Sequence, residues 1–325
     1  MRELTYRDAL NEALHEEMAR DPSVFVIGED VGQHGGPMQV VKGLWQKYGD
    51  WRVRDAPISE AGFVGLGVGA ALTGLRPVIE IMYMDFAALA LDQIVNQAAK
   101  ARYMFGGKAR VPLVIRTQGG GGRGNAAQHS QSLEMWYVHI PGLIVIQPST
   151  PADAKGLLKT AIRSDNPIMF IEHKLLYNTK GLVPDDEYTI PLGVADVKRA
   201  GHDVTIAAHS RMVLFALDAA EQLAAQNIDA EVIDPRTLKP LDLDRIVESV
   251  RKTHHLVVVS EGVRTGGFAS ELAAQIQDAA FDWLDAPVAR VTTEDVPIPY
   301  NERLELEALP TEQDIVRAVK DVLAL

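Results

Sequence analysis

Short apolar runs of strand length alternate with amphipathic segments of helical period along almost the whole chain. Residues 24–28, 77–81, 112–116, 143–147 and 168–171 read as buried strands. Thr5 stands before a helical pattern of Tyr6, Ala9, Leu10, Ala13, Leu14 and Met18, with Asp8 three residues on. Thr150-Pro151-Ala152-Asp153 combines a cap, a first-position proline and a first-turn acid, and predicts a helix to about residue 163. Another helix is predicted over about 86–103. The alternation lapses over 173–191, where charges, prolines and Gly181 predict a linker. It resumes with strands at 204–208, 230–233, 256–259 and 288–291, helices at 212–225 and 243–250, and a last helix capped by Thr311. Repeated strand–helix–strand units predict parallel sheets covered by helices. The chain has 325 residues, which exceeds a comfortable single core. Two α/β domains are predicted, 1–185 and 186–325.

Composition removes several classes of function. The net charge of −12 argues against a nucleic-acid or anionic-membrane surface. The absence of cysteine excludes disulfides, thiolate zinc sites and cysteine nucleophiles. No apolar run spans a membrane without a charge or break, and Met1-Arg2-Glu3-Leu4-Thr5 has no apolar signal region. A globular, cytoplasmic protein is expected.

Two segments stand out chemically. In Arg54-Asp55-Ala56-Pro57-Ile58-Ser59-Glu60-Ala61-Gly62, Glu60 opens a helix that Ser59 can cap and that is otherwise apolar and glycine-rich. A first-turn acid can simply favour the helix dipole. A carboxylate kept in an apolar site often does proton chemistry. Each glycine costs a helix roughly 1 kcal/mol relative to alanine, so Gly62, Gly65, Gly67 and Gly69 point to close approach of another backbone, such as a second subunit. The run from Thr117 to Gln131 is too glycine-rich for helix or strand. It reads either as a phosphate loop, although it fits neither the Walker nor the dinucleotide pattern, or as a flexible surface loop. His129, among Gln128, Ser130 and Gln131, favours an active-site loop. Glu29 and Asp30 follow a strand at the carboxyl edge where α/β proteins place ligands, or are solvated turn residues. Phe86 is by default a core aromatic. His254 and His255 lack metal spacing and read as structural.

Ala56-Pro57-Ile58-Ser59-Glu60-Ala61-Gly62-Phe63 resembles the P-I-S-E segment of beta subunits of thiamine-diphosphate-dependent 2-oxo acid dehydrogenases. Gly74-Leu75-Arg76-Pro77, Ala126-Ala127-Gln128-His129-Ser130-Gln131 and Asp153-Ala154-Lys155-Gly156-Leu157-Leu158 are similar to the same family. Asp234-Pro235-Arg236-Thr237-Leu238-Lys239-Pro240 and Leu284-Asp285-Ala286-Pro287 resemble the transketolase-type C-terminal domain. The similarity runs nearly end to end. It implies a pyrimidine-type thiamine-diphosphate-binding domain with a parallel sheet, followed by a transketolase C-terminal-like α/β domain.

The resemblance also implies roles. Glu60 matches the glutamate that shares a proton with N1′ of the cofactor's aminopyrimidine. Phe86 matches the aromatic packed on that ring, Glu29 an acid near it, and Ile58 a residue lining the pocket. His129 matches the histidine that hydrogen-bonds the intermediate or assists acyl transfer to a lipoyl group. Leu113, Ala161, Ile162 and Asn166 match a structural potassium site, with Ser164 where pyruvate enzymes carry Asp. The family's Mg²⁺-binding G-D-G is missing; Gly49-Asp50 is followed by Trp51. The diphosphate and Mg²⁺ are therefore expected on an alpha subunit, in an α2β2 heterotetramer that serves a lipoyl-bearing acyltransferase core. Pyruvate is the expected substrate. Residues 102–108 and 188–193 look closer to acetoin dehydrogenases, branched-chain 2-oxo acids rank third, and a non-catalytic assembly subunit is the reading from another class.

Overall fold

Runs without polar alternation suit strands buried on both faces, and such strands pair in parallel under helices. The computed structural model describes residues 1–325, and the chain divides into two units, Met1–Gly119 with Trp136–Leu192, and Gly120–Met135 with Gly193–Leu325.

In the first unit the parallel strands lie in the order Ile144–Ile146, Ile168–His173, Val114–Gly119, Arg76–Ile81, Val24–Gly28 and Val53–Asp55. The chain passes from Val24–Gly28 to one neighbour, Val53–Asp55, and then to the other, Arg76–Ile81. Strand order thus reverses at Val24–Gly28, the kind of point where open α/β sheets bind ligands beyond their carboxyl ends. Thr5 caps helix Tyr6–Arg20 by accepting from the Asp8 N–H, and Thr150 caps Pro151–Arg163 through Asp153 in the same way. Ser59 sits at the cap position of helix Glu60–Leu72, but its side chain makes no capping bond.

Two readings change here. The single helix predicted over 86–103 is broken into a 3₁₀ turn Met84–Ala90, a π-helical turn Gln93–Ala98 and an α-helical turn Ala99–Met104. The linker predicted over 173–191 contains a strand, Lys180–Val183, paired antiparallel with Arg2–Thr5. That strand, Lys180-Gly181-Leu182-Val183, has only four residues and a glycine inside it, too short for apolar periodicity to mark it.

The glycines of helix Glu60–Leu72 divide by face. A Cβ at Gly67 would lie 2.4 Å from the Ile79 side chain, so this glycine serves packing on the chain's own sheet. Gly69 has nothing within 4 Å, and Leu66 and Leu72 on the same side are exposed.

In the second unit the strands run Ala289–Thr293, Leu256–Val263, Val204–Ala208, Ala230–Asp234 and Asp196–Arg199, with only the last antiparallel. Val204, Ile206, Val232, Val257 and Val259 pack with Val213, Ala216, Leu223 and Ile315 into its core. Helix Glu312–Val322 starts with a Thr311–Asp314 capping box. No helix is long and apolar enough to cross a membrane.

A Cβ at Gly28 would meet the Glu80 carbonyl oxygen at 2.6 Å, and backbone cannot yield as a side-chain tip does. Gly28→Ala is expected to cost about 1–3 kcal/mol. Gly69→Ala is expected to stabilise the isolated chain by up to about 1 kcal/mol. Urea unfolding of both variants checks the contrast, and equal effects would contradict this packing.

Candidate active site

Glu29 and Glu60 converge at the strand-order reversal. Gly28 stands in register with Asp55 on one side and Glu80 on the other, and the Ala56 N–H donates to the Gly28 carbonyl at 2.8 Å. This bond ties the start of the Glu60 segment to the residue before Glu29. Below them, Arg116 is fully buried between Glu80 (2.6 Å) and Glu172 (2.7 and 2.9 Å), and the Tyr177 hydroxyl donates to Glu172 at 2.6 Å, so one guanidinium is shared by two carboxylates within a hydrogen-bonded cluster.

Glu60 is 7 % exposed and is the first residue of its helix. The positive end of the helix dipole stabilises a carboxylate there. The carboxylate makes no hydrogen bond or ion pair with the rest of the chain. Burial, followed by the charges of Glu60 and Asp30, holds the Glu29 carboxyl above the usual carboxylate range. The 3₁₀ turn that carries Phe86 packs against helix Glu60–Leu72. Glu29, Glu60 and the Phe86 turn are therefore brought together in the first unit. Ile58 is 84 % exposed, so in the single chain its side chain faces solvent. A buried acid without a protein partner, beside a second acid that favours its protonated form, fits a basic ring nitrogen that exchanges a proton.

Of the residues matched to a potassium site, Ala161, Ile162 and Asn166 lie at the end of helix Pro151–Arg163 and the turn after it and Leu113 precedes strand Val114–Gly119, and most of their carbonyls already accept hydrogen bonds. Leu113 accepts from the Ile168 N–H at 2.8 Å, and Ala161 from the Ser164 N–H at 3.2 Å. Arg76 donates to the carbonyls of Ile162 (3.1 Å) and Ser164 (2.9 Å). The Asn166 N–H is held by the Ser164 hydroxyl.

His129 belongs to the second unit, on the loop 120–135. Gly120, Gly122 and Gly124 have φ of 91°, 87° and 68°, which explains the glycines. Alternating handedness turns successive N–H groups toward one side, an anion-binding concavity. The anions here are the chain's own. Gly121 N–H donates to Glu261 Oε1 at 2.6 Å, Gly122 N–H to Glu305 Oε1 at 2.8 Å, and Gly124 N–H to Glu305 Oε2 at 2.7 Å. The phosphate-loop reading fails for this reason, because its donors are already occupied by carboxylates. Gly120 N–H closes the loop base on the Gln131 carbonyl (3.1 Å). Ala126 takes a left-handed φ of 62° and its carbonyl accepts the His129 N–H. That conformation is strained for a residue with a Cβ.

A buried polar chain holds the far end of the loop. Ser260 Oγ donates to Glu134 Oε1 (3.3 Å), accepts from the Gly262 N–H (3.1 Å) and lies 3.3 Å from His209 Nε2. Burial lowers the His209 pKa to about 4, so the ring is neutral. Burial first, then the Glu261 charge, pushes the Glu134 carboxyl up to about 7 against the hydrogen bonds it accepts. Sequence reasoning missed Glu134, Ser260, Glu261 and Glu305. Only Glu305 left a trace, at helical spacing before the buried Ala308 and Leu309.

Residues 2–180 match the family "Transketolase, pyrimidine binding domain", and residues 193–315 match "Transketolase, C-terminal domain". A Caenorhabditis elegans protein named pyruvate dehydrogenase E1 component subunit beta, mitochondrial, is 51 % identical, over 98 % of this chain and 92 % of that one. A Gracilaria tenuistipitata var. liui protein named pyruvate dehydrogenase E1 component subunit beta is 50 % identical, over 99 % and 100 % of the two chains. A Rhizobium meliloti protein of the same name is 47 % identical, over 99 % of this chain and 70 % of that one. Among solved structures, a split-gene transketolase described as an inactive beta4 tetramer superposes with a TM-score of 0.82 at 26 % identity, covering 99 % of both chains.

The raised Glu134 pKa makes stability depend on pH. Between the usual value of 4.5 and about 7 the folded chain binds more protons than the unfolded chain, so stability falls as pH rises through that window. Glu134→Gln removes the titration. Relative to wild type, its stability is expected to improve by on the order of 3 kcal/mol between about pH 4 and pH 8. Denaturant melts across that range check it, and a constant difference would contradict the assignment.

Proposed function

Because the chain belongs to the transketolase-like family that includes the pyruvate dehydrogenase E1 beta subunits, we propose that it supplies the aminopyrimidine-binding half of a thiamine-diphosphate site for oxidative decarboxylation of pyruvate. The observation that carries this reading is the buried, partnerless Glu60 at a helix N-terminus beside Glu29. When bound, thiamine diphosphate supplies the electron sink that decarboxylation of a 2-oxo acid requires.

The chain's own residues divide the remaining work. Glu60 holds and moves a proton at N1′ of the aminopyrimidine. Glu29, whose carboxyl is held above the usual carboxylate range by burial and by the Glu60 charge, stands as a second acid beside the ring. Phe86 packs against the ring, and Ile58 becomes a pocket wall once a partner covers it. His129 would hydrogen-bond the reacting substrate or assist acyl transfer to a lipoyl group. The glycine-loop N–H groups are committed to Glu261 and Glu305, and the sequence has no G-D-G, so the diphosphate and Mg²⁺ fall to an alpha subunit. The exposed apolar side of helix Glu60–Leu72, with Gly69, Leu66 and Leu72, suits close packing in an α2β2 heterotetramer. The acyl acceptor is a lipoyl-bearing acyltransferase core.

A potassium ion at the carbonyls of Leu113, Ala161, Ile162 and Asn166 would share the Ile162 carbonyl with the Arg76 guanidinium. Thermal unfolding in potassium chloride against choline chloride at equal ionic strength checks it. A saturable rise in Tm with potassium is expected. Identical curves would assign neutralisation of this turn to Arg76 alone.

Reconstitution with an alpha subunit, Mg²⁺ and thiamine diphosphate tests the main reading, using a dye acceptor and a panel of pyruvate, acetoin and branched-chain 2-oxo acids. Turnover only in the mixture, fastest with pyruvate, is expected. Glu60→Gln is expected to assemble normally and lose roughly 10²-fold or more in kcat. Full activity of that variant would make the chain an assembly subunit, and a preference for acetoin would reassign the complex.

A further inference from the structure

Glu305 is fully buried, and both of its carboxylate oxygens are spent on the backbone of the His129 loop. It lies in the short helix Glu302–Ala308, which Asn301 caps by accepting from the N–H groups of Arg303 and Leu304. A Cβ at Gly121 would lie 2.8 Å from Leu309 Cδ1, so the loop stem also rests on the residues just past that helix. Glu261 takes the Gly121 N–H beside it, and Ser260 next to Glu261 holds Glu134 at the far end of the loop. The stem is thus fixed by adjacent residues of strand Leu256–Val263 and by Glu305, while His129 sits on the stretch between these anchors.

We infer that Glu305 is a positioning residue for His129: its carboxylate clamps the Gly122 and Gly124 N–H groups and so sets where the loop presents the imidazole. The inference rests on His129 acting in the reaction of the proposed site. A buried carboxylate that accepts two N–H bonds is satisfied only while the loop keeps this shape. Loop and acid therefore hold each other, and a loop misplaced by about 1 Å can cost roughly 10²-fold in rate. Glutamine is not a neutral replacement here. One of its two ends is an NH₂ group, which would face a loop N–H donor to donor.

The test uses the reconstituted α/β complex with thiamine diphosphate and Mg²⁺. Acylation of a free lipoyl domain is measured for wild type, Glu305→Gln, His129→Ala and the double variant, and hydrogen exchange of the loop amides is followed in parallel. Glu305→Gln is expected to lower lipoyl acylation by roughly ten-fold or more and to speed exchange at Gly122 and Gly124. In the His129→Ala background it is expected to change the rate by less than about two-fold, because the two changes remove one function. Glu305→Asp keeps the charge but withdraws it by one methylene, and an intermediate loss is expected; it serves as the second variant if the glutamine form does not assemble. Losses that multiply in the double variant would overturn the inference. Normal acylation by the Glu305 variants, with His129→Ala impaired, would overturn it alone. A fully active His129→Ala would overturn the His129 reading and the inference together.

Discussion

A carboxylate taken out of water costs several kcal/mol unless donors meet it, and this chain buries Glu60, Glu134, Glu261 and Glu305. Each is met differently, and the differences separate structural acids from chemical ones. Glu305 and Glu261 receive loop N–H groups, and their charge is used to shape backbone. Glu134 receives its own backbone N–H and a serine hydroxyl beside another acid, and burial still pushes its pKa up to about 7. Glu60 receives the positive end of a helix and nothing else from the chain. It is the acid left available for a group that the chain does not itself contain.

The parallel sheet makes this arrangement reachable. Strand Val24–Gly28 has neighbours reached in opposite directions, so the segments after it and after Val53–Asp55 meet at one edge. Gly28 lets the backbone approach Glu80 at that edge, and Arg116 bridges Glu80 and Glu172 beneath it. Glu60 therefore stands above a buried, hydrogen-bonded cluster of Arg116, Glu80 and Glu172 that fixes the strand ends around it.

Much of the fold was legible because long apolar runs and strong caps have local causes. Val204–Ala208, helix Pro151–Arg163 and the Thr311 cap follow directly from pattern. Lys180–Val183 was not legible, since four residues hold too few alternations and its partner Arg2–Thr5 is distant in sequence. Nor was the break in the helical pattern over 86–103, where tertiary packing overrides periodicity. At the site, Glu60 was visible as an acid opening an apolar, glycine-rich helix and Glu29 as an acid after a strand. The purpose of the glycine loop was not, because the carboxylates that use its N–H groups lie more than a hundred residues away in the chain. Glycine content reported the unusual φ values but not the anion that required them.

A site completed by another subunit would account for a Glu60 without a partner, for the exposure of Ile58 and Leu66, and for glycine N–H groups committed to Glu261 and Glu305. The most direct measurement is a crystal structure of the α/β complex with thiamine diphosphate and Mg²⁺. The account predicts a Glu60 carboxylate oxygen within roughly 2.6–3.2 Å of aminopyrimidine N1′, with every protein ligand to Mg²⁺ on the alpha subunit. A diphosphate or Mg²⁺ held by this chain, or an aminopyrimidine ring remote from Glu60, would contradict it.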